Sequence, residues 1–145
     1  MADAPDPIEL AARALRHRDR SRQRVEERLE RAGVEEDLRR DALDTLERVG
    51  YVDDERFALV RAASLAERGY GDDGIRLLLA GDGVPAAAID LAVSQLQPEP
   101  ERAAQIVHER GSSARTAAQL ARKGFAEESI ETALGPAFAD DGAEA

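Results

Sequence analysis

Three short sites, Gly33-Val34, Gly83-Val84 and Gly124-Phe125, constrain this chain more than any other feature. Around each of them apolar residues recur at the same offsets. Four positions before the glycine stand Leu29, Leu79 and Leu120, and eighteen before stand Leu15, Leu65 and Ile106. Ten after come Leu43, Val93 and Leu134, and thirteen after come Leu46, Leu96 and Ala137. The glycines are 50 and 41 residues apart. A unit of that size buries too little surface to stand alone, so such units must stack and share a core. The pattern predicts three related three-helix repeats, at residues 8–50, 51–97 and 98–138. The acidic tail, residues 139–145, is expected to be disordered.

Composition says what the units are made of. Alanine occurs 28 times, asparagine never, and aromatics are 3% of residues. Abundant Ala, Leu, Arg and Glu favour helix, and no β-branched run of strand length exists. The chain is predicted to be all-α.

Gly, Pro and Asx residues cut it into about nine helical segments. The first is expected from Ile8 to about Arg18. The second follows Ser21 as N-cap, with Val25, Leu29 and Ala32 as its apolar stripe and Gly33 as its stop. A third, from about Glu35 to Arg48, turns Leu38, Ala42, Leu43 and Leu46 inward and ends at Gly50. Asp53 or Asp54 caps a fourth, stopped at Gly69. The fifth spans about Asp72 to Ala80, and the sixth follows Pro85 to Leu96. Three more cover ERAAQIVHER, SARTAAQLARK and EESIETAL, with Ser112 and Ser113 read as a cap.

Charge and residue usage exclude several functions. Thirty acids against twenty bases give a net charge of −10. That excess argues against a general nucleic-acid coat, which works by neutralising phosphates. Cysteine is absent, so disulfides and thiolate metal sites are ruled out. No stretch approaches the roughly 20 apolar residues of a membrane span. The N-terminal MADAPDPIEL carries no apolar export core, and a cytoplasmic monomer is expected.

The motifs that could carry chemistry have plainer readings. Gly69-Tyr70-Gly71-Asp72-Asp73-Gly74 spells GxGxxG. A dinucleotide site needs a preceding strand and room for pyrophosphate, but here a helix precedes and two carboxylates follow. A helix stop, a turn and a carboxylate cap account for it. Asp53-Asp54 reads as a cap favoured by the helix dipole. His17 and His108 lie far apart with no second ligand at metal spacing. No nucleophile–base pair is suggested. No catalytic residue, metal or cofactor is expected.

The basic segment differs. Residues 13–31 hold eight Arg against four acids. Arg13, Arg16 and His17 share one face of the first helix, with Arg20 next in line if that helix extends. Arg24, Arg28 and Arg31 form one stripe on the second. This is either a solvated surface laced with Arg24–Glu27 and Glu27–Arg31 pairs, each contributing about 0.2–0.5 kcal/mol, or a partner-binding face. Tyr51 and Phe57 flank the Asp53-Asp54 cap. They either fill the junction between the first two repeats or, for Tyr51, meet a partner.

The stretches RSRQRVEERLERAGV (20–34), GYVDDERFA (50–58), GYGDDGIRLLLAGDGV (69–84) and RKGF (122–125) resemble the RecX family of recombination regulators. GYVDDERFA is the most specific of them, and the resemblance covers about residues 8–138. The chain departs from the family where Asp72 and Asp73 follow Gly71, a place that tends to carry Pro and a basic residue. The resemblance implies three tandem three-helix repeats in a curved, elongated module. It also implies binding to the RecA recombinase filament, with possible DNA contact inside it. Restraint of the filament's ATPase, strand-exchange and coprotease activities would follow, with a role in DNA repair and the SOS response. A stand-alone nucleic-acid-binding module and a helical scaffold for another partner are the alternatives.

Overall fold

A computed structural model describes residues 6–16 and 18–135. His17, Ala137 and the tail from Ala139 lie outside the described residues. Among the described residues nine helices follow one another: α1 (Pro7–Leu15), α2 (Arg22–Arg31), α3 (Glu36–Arg48), α4 (Asp54–Glu67), α5 (Asp72–Gly81), α6 (Ala86–Ser94), α7 (Glu99–Arg110), α8 (Ala114–Arg122) and α9 (Glu127–Leu134). No strand occurs among the described residues.

Short polar side chains start four of these helices. Asp6, Ser21, Asp53 and Ser113 accept the backbone N–H of Ile8, Arg24, Arg56 and Thr116. This satisfies donors that a first helical turn leaves free.

The recurrent Leu-x-x-x-Gly-apolar pattern is the stop of α2, α5 and α8. Gly33 takes φ 83°, and the Val34 N–H reaches back to the Leu29 carbonyl at 3.0 Å. Val84 repeats this with Leu79 at 3.1 Å, and Phe125 with Leu120 at 3.0 Å. Such a closure needs a left-handed glycine and brings together the apolar residues on either side of it. All six of those apolar residues are buried.

Each helix packs against the other two of its consecutive triplet. Three hydrophobic clusters result. Val25, Leu29, Leu43 and Leu46 anchor the first, and Leu65, Ile75, Leu79 and Ile89 the second. Val107, Leu120, Phe125 and Ile130 anchor the third. Val52, beyond α3, completes the first cluster.

Several expectations are corrected. The first helix ends at Leu15, because Arg20 turns back and donates from Nε to the Ala14 carbonyl at 2.8 Å. The sixth helix stops at Ser94, and the seventh starts at Glu99, with Pro100 in its first turn, where a missing N–H costs nothing. Leu38 and Ala32 point outward, since Val25, Leu29, Leu43 and Leu46 already fill the space between α2 and α3.

Adjacent triplets meet by one geometry used twice. The N-terminus of α2 sits on the α5–α6 turn, and the N-terminus of α5 sits on the α8–α9 turn. At the first junction Ser21 Oγ donates to the Asp82 carbonyl at 2.6 Å. Asp54, the first residue of α4, accepts the Arg22 N–H at 2.8 Å. At the second, the Gly71 N–H donates to the Lys123 carbonyl at 2.8 Å. Glu99, the first residue of α7, accepts the Asp72 N–H at 2.6 Å. Its other oxygen accepts the Ala126 N–H at 2.9 Å and so caps α9 as well. Pro85 stands two residues after Gly83, as Ala126 stands after Gly124, and has no N–H to satisfy.

Candidate functional site

The glycine-rich run 69–74 builds this second junction. A Cβ on Gly71 would lie 2.5 Å from Phe125 backbone atoms, and one on Gly74 would lie 2.3 Å from the Lys123 carbonyl oxygen. Glycine is there so that two backbones can touch. The expected carboxylate cap on α5 comes from Glu99, not from the run itself. Arg102 is buried beside it. It donates to Asp72 at 2.9 Å, to the Gln97 carbonyl at 2.9 Å and to the Tyr70 carbonyl at 3.1 Å, and lies over the Phe125 ring. Neither Glu99 nor Arg102 was singled out from sequence. A carboxylate at the start of an amphipathic helix looks like any favourable first-turn acid.

The basic segment forms a cationic surface on α1, α2 and the connection between them. Arg13 is exposed and pairs only loosely with Glu9, at 3.9 Å. Arg16, Arg18, Arg28 and Arg31 are exposed and form no ion pair among the described residues. Arg20 joins them from the turn rather than from a continued helix. Partial burial, with Arg18, Arg28 and Arg31 nearby, pushes its guanidinium below the ordinary arginine value. Arg18, Arg20, Arg28 and Arg31 therefore crowd one another, and none forms an ion pair among the described residues.

Arg24 does not belong to this free set. It donates to Asp82 at 3.2 Å, to Glu27 at 3.0 Å and to the Gly81 carbonyl at 2.9 Å. Its charge holds the first junction together. The Arg24–Glu27 pair expected from spacing is present; a Glu27–Arg31 pair is not among those formed. Tyr51 is 65% exposed and so does not fill the junction, whereas Phe57 packs against the second cluster. Among the described residues no group of three or more His, Asp or Glu side chains is placed to hold a metal ion. No described helix is long and apolar enough to cross a membrane.

Fold and surface together define an all-helical protein whose conspicuous polar feature is a cationic face on one triplet. No family model matches the chain. It is 32% identical over 137 residues to the regulatory protein RecX of Xanthomonas oryzae pv. oryzae, covering 88% of this chain and 86% of the relative. It is 33% identical over 142 residues to the regulatory protein RecX of Streptomyces coelicolor, covering 84% and 74%. The crystal structure of RecX from Lactobacillus salivarius superposes with a TM-score of 0.76 at 18% identity, covering 88% of this chain and 92% of that one. A second RecX crystal structure gives 0.69 at 19% identity. The chain belongs to the RecX family of regulatory proteins.

Proposed function

We propose that this protein binds a RecA-type recombinase filament and modulates, mainly inhibits, its ATPase, strand-exchange and coprotease activities. Family membership carries the reading. The crowded Arg18, Arg20, Arg28 and Arg31 support it, because cations that form no ion pair among the described residues are available to an acidic partner. Docking uses Arg13, Arg16, Arg20, Arg28 and Arg31, with Tyr51 as an exposed aromatic anchor. The protein acts as a monomer in the cytoplasm by binding, not by chemistry. We read the triplets as tandem repeats of residues 8–50, 51–97 and 98–138. The matching roles of Asp54 and Glu99 support that reading. Neighbouring filament subunits held through small interfaces would add up by multivalency.

The test is a titration of the filament's DNA-dependent ATPase with this protein. Inhibition should appear and should weaken as salt rises, since exposed charges are screened over about 8–10 Å. Arg28→Glu with Arg31→Glu should raise the half-inhibiting concentration about tenfold. The melting temperature should stay nearly unchanged, because neither side chain makes an ion pair among the described residues. A protein that leaves the ATPase untouched at every ratio and does not sediment with filaments would refute the reading.

A further inference from the structure

A cleft of about 310 Å³ opens between the first and second triplets. Arg18 and Arg20, from the connection between α1 and α2, line one lip, and Arg61 of α4 lines the other. Phe57 and Val60 form an apolar floor. Val60 is 62% exposed and belongs to none of the three core clusters.

The charges in the cleft do not cancel. Asp19 is held by Arg56 at 3.0 Å, and Asp82 by Arg24 at 3.2 Å. Arg61 reaches only Asp82, at 3.8 Å, a carboxylate that Arg24 already occupies. Arg20 spends its Nε on the Ala14 carbonyl, and Arg18 forms no ion pair among the described residues. Arg18, Arg20 and Arg61 thus line a partly apolar cleft with no carboxylate of their own among the described residues. Arg28 and Arg31 extend the positive field beyond the lip and help to depress the Arg20 pKa.

We infer that this cleft docks an extended acidic segment of a protein partner. Carboxylates of the segment meet Arg18, Arg20 and Arg61, and one aromatic or aliphatic side chain between them covers Phe57 and Val60. Arginine suits this role because its planar fork holds a carboxylate through two parallel bonds. A nucleic acid fits less well. A polyanion gains affinity by neutralising many phosphates in a row, and this chain carries a net charge of −10 around a short basic lip. The inference rests on the regulator reading only for which partner carries the segment.

The test uses the full chain and a labelled heptapeptide of alternating Glu and Asp with one central Phe, followed by fluorescence anisotropy at low salt. The peptide should bind saturably although both molecules are acidic. Replacing its central Phe with Ser should weaken binding about tenfold, the worth of one buried apolar side chain. Arg18→Glu and Val60→Asp should each weaken it about tenfold. Arg115→Glu, at an exposed position of α8, should change nothing, and circular dichroism melts would verify that all three variants fold. Equal binding by wild type, Arg18→Glu and Val60→Asp would overturn the cleft and leave the regulator reading intact. Displacement of the peptide by an equally charged oligothymidylate at lower concentration would also overturn it, in favour of nucleic acid. If the peptide binds as described but the protein neither alters the filament ATPase nor sediments with filaments, the cleft stands and the regulator reading falls.

Discussion

Glu99 is 8% exposed and keeps two helix N-termini satisfied at once, 27 residues to either side of it in sequence. Its removal strands the Asp72 and Ala126 N–H groups and leaves buried Arg102 beside them. Glu99→Ala should therefore cost about 3 kcal/mol in urea unfolding, far above a surface acid. Glu99→Gln retains an acceptor oxygen and should fall between. Asp54 performs the corresponding task at the first junction under different electrostatics. Burial first, then nearby Glu47, hold its carboxyl above the ordinary aspartate value despite the Arg22 N–H. The folded protein thus binds this proton at higher pH than the unfolded chain, and ionisation costs stability as pH rises through the folded value. Asp54→Asn keeps an oxygen for the Arg22 N–H and removes the charge. Its melting temperature relative to wild type should climb as pH rises from below the ordinary aspartate value of about 4 to above it. A constant difference across that range would contradict the assignment.

Helix ends, more than helix faces, decide how these elements join. The first junction is made by side chains: Ser21, Arg24 and Gln23, the last lying where a Cβ on Gly83 would sit. The second adds to the Glu99 and Arg102 side chains a direct backbone-to-backbone contact at Gly71, Gly74 and Gly124. Side chains can adjust; a carbonyl 2.3 Å from a new Cβ cannot. Gly74→Ala should lower stability by about 2–3 kcal/mol in denaturant titration, as overpacking does. Gly81→Ala, at the open end of α5 with nothing within 4 Å, should raise it by about 0.5–1 kcal/mol. The reverse order would mean that the two triplets are not held by this contact.

At the scale of the whole molecule, the first and second triplets are each completed by the one that follows. The first cluster needs Val52, and the first turn of α2 needs Asp54 and Asp82 from the second triplet. A fragment of residues 1–50 lacks all three. It should be largely unfolded by circular dichroism, whereas the full chain should melt in one cooperative transition. Ordering costs of about 1–2 kcal/mol per residue are offset only when neighbouring triplets complete each other's caps and cores. A fragment that melts cooperatively by itself would make the triplets independent domains.

The residues alone determined the all-helical class, most helix ends and most of the core leucines, Leu38 excepted. These depend on local rules: an apolar side chain every three or four positions, a short polar cap, and a left-handed glycine that pulls Leu29, Leu79 and Leu120 toward Val34, Val84 and Phe125. The sequence also marked residues 13–31 as cationic. Only the tertiary structure decided which of those charges are free. Arg24 is consumed by Asp82, 58 residues away, while Arg28, one helical turn further along, forms no ion pair among the described residues. It likewise decided that Glu99 caps two helices and that Tyr51 stands in solvent while Phe57 lines a cleft. Helical periodicity reports which face of a segment is apolar. It carries no information about which other segment's turn will meet its first N–H groups, because that depends on how whole triplets dock.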